Sequence, residues 1–278
     1  MRKIEKQVGE YLQYCEKVRG MSGTTLHAKR NVLERFVRVT GLADLGELTN
    51  EVFNGWVSEL NERGVAPRSI NTYNAVILAM VRYYRGVGVE VPLQLSLVGK
   101  LREGEVRRRF YTADEVETAI SYASFETGLM IRIMFETGMR IAELTHLKVS
   151  DFTGRRIQFI GKGRKPREVY IREDTLREVC EFMQERGLVS GYLFATLNGE
   201  PPTVATVRKR LRRPFFKAGF DDFYPHALRH SFATRLQLKG ASVFEIKEMI
   251  GHESVATTER YLHGFEGRMM ELFDKYAG

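Results

Sequence analysis

Apolar residues recur at helical spacing through most of this 278-residue chain, and that periodicity constrains its fold more than any other feature. Ile4, Val8, Tyr11, Leu12 and Cys15 share one face of a first segment over residues 4–19. Ser22 to Thr25 give a polar start to a second, which carries Leu26, Val32, Leu33, Phe36 and Val37. Val52, Phe53, Trp56, Val57 and Leu60 mark a third. Gly64 and Pro67 then interrupt the chain, and Ser69 opens a fourth through Ile70, Tyr73, Ile77, Met80, Val81 and Tyr84. Four amphipathic segments can bury one another's apolar stripes, so residues 1–95 are expected to form a small all-helical bundle. Taken alone, such a bundle fits a protein-interaction module as well as a nucleic-acid one.

The periodicity fades over SLVGKLREGEVRRRF, which has five basic residues between Lys100 and Arg109. Residues 96–110 are read as an interdomain linker, either a solvated charge run or a stretch that faces phosphates. A second domain, residues 111–278, opens at Thr112 with Glu115 three positions on, a capping-box pattern. Helical signals follow at Val116–Ala123 and Leu129–Glu136, and after Gly138 at Ile141, Leu144 and Leu147. Arg140 therefore falls at a helix start, where backbone N–H groups already favour an anion. Glu143 reads as a partner that orients an arginine or the helix end. The period then changes from about 3.6 to 2: RRIQFI and REVYI alternate on either side of GKGRKP, a hairpin with Lys162 and Lys165 in its turn. Another helix is expected over 175–186, and YLFA reads as a short strand. The fold class is mainly α with a small antiparallel β-sheet in the second domain.

Charge narrows the partner. A net charge of +8 and a pI near 9.4 favour a polyanion, though charge alone does not separate nucleic acid from an anionic membrane. No apolar run approaches a membrane span, and the N-terminal stretch MRKIEKQVGEYLQYCEK lacks the apolar centre of a signal peptide. A cytoplasmic protein without a membrane partner is expected. Cys15 and Cys180 are too few and too far apart for a disulfide framework or a zinc site. The densest basic patch lies in TVATVRKRLRRPFFKAG, where Arg208, Lys209, Arg210, Arg212, Arg213 and Lys217 surround Val207, Leu211 and Phe215 without one acid. A basic amphipathic helix of this kind can lie on a nucleic acid, a membrane or a partner protein.

Directly after it come HALRH, then GH, then a tyrosine nine positions beyond that histidine. His226, His230 and His252 carry the side chain whose unperturbed pKa lies nearest neutrality, and Arg229 offers a planar fork suited to phosphate. Tyr261 is a nucleophile once relieved of its proton. Together they describe phosphoryl transfer through a covalent intermediate. His226 and His230 also share a helix face, as zinc pairs do. The metalloprotease pattern needs Glu after the first His, whereas Ala227 stands there with Arg229 close by, so no metal is expected.

HALRH, GH and the terminal tyrosine, together with TGMRIAEL and IGKGRK, resemble the tyrosine recombinase and phage-integrase family, in particular its Xer-like members. The likeness spans nearly the whole chain and is weakest over the first hundred residues. It implies a two-domain DNA clamp, with a helical (SAM-like) core-binding domain joined to a catalytic domain. It also implies a catalytic set of Arg140, Lys162, His226, Arg229, His252 and Tyr261, with Tyr261 as nucleophile. Arg107, Arg108, Arg109, Arg208, Lys209, Arg210, Arg212 and Arg213 are expected to meet DNA. Neither cofactor nor ATP is implied. Double-stranded DNA would be the partner, with a homotetramer on two sites and a C-terminal tail that docks on a neighbouring protomer or packs in cis. Chromosome-dimer resolution and mobile-element integration both remain open as roles. A type IB topoisomerase-like or telomere-resolving enzyme would share the chemistry, and a non-catalytic DNA-binding protein would share the fold.

Overall fold

The computed structural model describes residues 2–104, 109–161 and 166–251. It divides into two compact units, Met1–Val106 and Arg107–Gly278.

The first unit contains α1 (Lys3–Lys17), α2 (Gly23–Thr40), α3 (Asn50–Glu62) and α4 (Pro67–Gly86). Their starts follow local chemistry. Ser22 accepts a hydrogen bond from the Thr25 amide, Thr49 accepts from Val52, and Pro67 fills a first-turn position that needs no amide donor. The four apolar faces close on Trp56, against which Phe36 packs edge-on at 5.4 Å. The Trp56 indole N–H donates to Asn74 Oδ1 at 3.0 Å, so a large ring is buried without leaving its donor unanswered. The expected linker begins later than the sequence suggested. Leu101 packs on this core, and Asn71 both donates to its carbonyl (3.0 Å) and accepts from its amide (2.9 Å). A side-chain amide here replaces the backbone partner that an irregular segment lacks.

The second unit is built around α6 (Phe125–Thr137), whose Leu129, Met130, Ile131, Ile133 and Met134 are all buried. A helix apolar on nearly every side belongs inside. It is packed by α5 (Ala113–Ser121), α8 (Glu173–Glu185), α9 (Val204–Lys217) and α10 (Pro225–Leu238). The Thr112–Glu115 capping box forms as the sequence indicated. The short α7 (Ile141–Thr145) follows α6 directly, and α11 (Val243–Ile250) follows α10. Strands β1 (Phe152–Thr153), β2 (Arg156–Ile160) and β3 (Pro166–Tyr170) form one antiparallel sheet in sequence order, with Ile157 opposite Val169. YLFA does not become a strand. Tyr192 makes an isolated bridge with Lys148, and Leu193 and Phe194 then both enter the core instead of alternating between two faces.

Candidate active site

The site is framed by the break between two helices. Gly138 ends α6 in the left-handed region (φ 62°), and a Cβ placed there would lie 2.6 Å from a ring carbon of Phe232. No side chain fits, so the turn is held to glycine by both its conformation and its space. Its carbonyl accepts from Arg229 Nη1 at 2.6 Å. Two residues on, Arg140 caps the start of α7. Its amide donates to Glu143 Oε2 (2.7 Å) and its guanidinium to Glu143 Oε1 (2.8 Å). The orienting role expected for Glu143 is thus what the geometry provides. Glu143 is itself almost sealed, with 7 % of its side chain exposed, while Arg140 keeps 27 %.

Arg229 is buried to 2 % and also donates to the Ile250 carbonyl through Nη2 at 2.8 Å. A third arginine enters from the sheet: Arg167 on β3 donates to Glu143 Oε2 at 2.7 Å and to the Met249 carbonyl at 3.2 Å. The Arg140 guanidinium approaches the Gly251 carbonyl at 3.5 Å. Three guanidinium groups therefore converge on the last turn of α11, where carbonyls lack helical partners and the helix dipole is negative. That turn ends two residues before His252 in the chain. A groove of about 970 Å³ opens over Arg140, Glu143 and Arg167 and runs past His146, Lys148 and Tyr192.

His226 lies in the first turn of α10, where the residue keeps part of its surface exposed while its ring is partly desolvated. Desolvation of the ring comes first among the causes that lower its pKa from the ordinary value. The positive charges of Arg229, Arg140 and Arg208 add to this, and Glu143 opposes them. These surroundings favour the neutral form of the ring, the form that can accept a proton.

The predicted DNA contacts separate into two groups. Arg208, Lys209, Arg212 and Arg213 are exposed along α9. Arg210 is held at 2.8 Å by Glu126, which Arg186 also contacts at 3.0 Å. Arg109 pairs with Glu115 at 2.7 Å and lies 4.8 Å over the Tyr111 ring, so its guanidinium already has protein partners. Lys162, Lys165, His252, Tyr261, Arg107, Arg108, the expected cap at Ser254 and the C-terminal tail lie outside the described residues. Of the six expected catalytic positions, the structure brings Arg140, His226 and Arg229 together. Sequence reasoning passed over Arg167, yet a signal existed: it shares the inward face of β3 with Val169, and a charged residue in that alternation calls for a buried partner. Among the described residues no cluster of His, Cys, Asp and Glu would hold a metal, and no helix is long and apolar enough to cross a membrane.

A mainly helical unit that gathers arginines at a helix end offers fixed cations suited to a phosphodiester. The chain belongs to the phage integrase family, whose sequence profile matches residues 101–268. It is 28% identical over 254 residues to the tyrosine recombinase XerC of Chromohalobacter salexigens, covering 86% of this chain and 85% of that one. Its fold matches the XerH site-specific recombinase bound to a palindromic difH substrate in a post-cleavage complex. That match has a TM-score of 0.77 at 22% identity, and covers 98% of this chain and 85% of the other. A lambda integrase tetramer bound to a Holliday junction superposes with a TM-score of 0.76 at 19% identity, over 93% of this chain and 76% of the other. The protein is a site-specific recombinase of the tyrosine class, an enzyme that transfers DNA strands, and it is Xer-like.

Proposed function

We propose that the protein cuts and rejoins duplex DNA at a specific site through a 3′-phosphotyrosyl intermediate, with Arg140, Lys162, His226, Arg229, His252 and Tyr261 as its catalytic set. The Tyr261 oxygen attacks the scissile phosphorus, a P–O(Tyr) bond forms, and the bond from phosphorus to the 5′-oxygen breaks. His226 accepts the tyrosine proton, and Lys162 gives one to the departing 5′-oxygen. A 5′-hydroxyl from the partner strand then reverses these steps and releases the tyrosine. Phosphodiester energy stays in the covalent bond, so the cycle uses neither ATP nor a metal. Arg140 acts through its open side and Arg229 through a charge set in the frame of the site. Both offset the charge that builds in the transition state, where preorganised cations are worth most. His252 donates to a phosphate oxygen.

The observation that carries this reading is the convergence of Arg140 and Arg229 on the carbonyls of Gly251 and Ile250 at the end of α11, directly ahead of His252 in the chain. The first unit is assigned to one side of the duplex and the exposed cations of α9 to the other. The tetramer in which lambda integrase holds a Holliday junction supports a homotetramer on two sites here. Tyr261→Phe is expected to bind its site with unchanged affinity and to form no covalent adduct on a nicked duplex, while the native chain still cleaves in EDTA. Adduct formation by the Phe variant, or cleavage that returns only with magnesium, would sink the mechanism. Site affinity should also fall steeply with added salt, because each phosphate contact releases counterions.

A further inference from the structure

Arg167 has no place in the proposed catalytic set, yet it is among the most enclosed charges of the second unit. Only 9 % of its side chain is exposed, against 7 % for the carboxylate it holds. Burial works against its charge and Glu143 supports it. Each contact reaches a different part of the site. Nη1 takes the Glu143 oxygen that also accepts the Arg140 amide, Nη2 takes the Met249 carbonyl on α11, and the flat of the group fills the space beside Gly251. A Cβ on Gly251 would meet Arg167 Nε at 2.8 Å, so the helix end has no room for a side chain while Arg167 is in place. Its strand leaves the turn that contains Lys162 in sequence.

We infer that Arg167 is a positioning residue for strand cleavage: it joins the hairpin, the Arg140–Glu143 pair and the end of α11 into one rigid frame. Glu143 alone would fix Arg140 to its own helix, but not to α11. Arg229 ties α11 to the α6 end at Gly138. Arg167, itself on the hairpin, reaches both Glu143 and the end of α11. A single ammonium could neutralise Glu143, but the planar fork is what reaches a carboxylate and a carbonyl at once. The inference rests on the recombinase reading above.

The test uses the full chain on a nicked duplex carrying the site recovered by mapping covalent adducts. Single-turnover cleavage and site affinity are measured for Arg167→Lys, Glu143→Gln, Gly251→Ala and Arg167→Lys/Glu143→Gln. Arg167→Lys keeps charge and length, which limits loss of folding. A misplacement of about 1 Å costs on the order of 10²-fold in rate, so Arg167→Lys should cleave about 10²-fold more slowly with affinity within about threefold of native. Gly251→Ala should show the same split between rate and affinity. The double variant should be no slower than its slower parent, because both changes break one frame. The inference is overturned if Arg167→Lys cleaves like the native chain, if affinity falls in step with rate, or if the double variant loses the product of the two single effects. Tyr261→Phe on the same duplex separates the two claims. An adduct there removes the recombinase reading itself, whereas no adduct together with native cleavage by Arg167→Lys removes only the role of Arg167.

Discussion

The two units bury polar groups in opposite ways. In the first, the buried polar side chains are the neutral amides Gln7 and Asn74, each answered nearby: Asn74 by Trp56, and Gln7 by the Leu45 amide. In the second, a whole arginine is sealed at 2 % exposure, and a carboxylate at 7 % is shared by two further arginines. Neutral amides make a core specific at small electrostatic cost. Buried ions carry a desolvation penalty that neighbouring dipoles and counter-charges must offset. The first unit is therefore organised for stability, and the second accepts an expensive interior to keep cations fixed where a phosphate is to be held.

That contrast can be broken in graded ways. The largest expected effect is on the first unit. Trp56→Ala should cost about 3–5 kcal/mol there, since a full aromatic side chain is removed from a closed core. Hydrogen exchange followed by mass spectrometry should show protection lost over α1–α4 and retained over α6 and α10. Loss of protection in both units alike would mean that they unfold as one.

Arg229→Met tests the other side of the comparison. The Gly138 and Ile250 carbonyls lose their donor, and the site loses a fixed cation. Cleavage at saturating DNA should fall by about 10²–10³-fold, the range for removing one preorganised electrostatic partner. A variant that melted lower but cleaved at the native rate would make Arg229 a structural residue only.

A smaller effect is expected at the turn between α6 and α7. Gly138→Ala forces a left-handed backbone on a residue with a Cβ, a strain of about 1–3 kcal/mol, and presses that Cβ on Phe232. The melting temperature should drop by the corresponding amount, and cleavage should fall with it, because the displaced carbonyl is the one Arg229 holds. Gly64→Ala, at a positive φ in the first unit with open space around it, should cost strain alone and leave cleavage intact.

The smallest effect concerns pH. Folding lowers the His226 pKa from 6.5, so just below that value the unfolded chain binds the proton more readily than the folded one. Stability should therefore rise with pH across that window, and the contribution is lost as pH falls. In His226→Gln the melting temperature should show a flatter dependence there. An unchanged slope would mean that neither desolvation nor the surrounding arginines shift the ring on folding.

Much of this molecule was legible in the sequence because the signals are local. Helical stripes, the Thr112–Glu115 box, the glycine before Arg140 and the alternation of the hairpin each depend on residues within a turn or two of one another. The spacing of HALRH, GH and Tyr261, with TGMRIAEL and IGKGRK, was enough to indicate the family and the reaction. Glu143 could be read as the partner of Arg140 because the two lie three residues apart on a helix start.

Tertiary structure alone decided which arginines face inward. Arg229 reaches carbonyls 91 and 21 residues away, and Arg167 reaches partners 24 and 82 residues away. Arg210 and Arg109, which composition placed with the DNA-facing cations, are instead engaged by Glu126 and Glu115. A guanidinium on a long stem has no preferred partner within its own turn. It takes whichever acceptor the packing of distant elements brings within reach, and no local pattern records that choice.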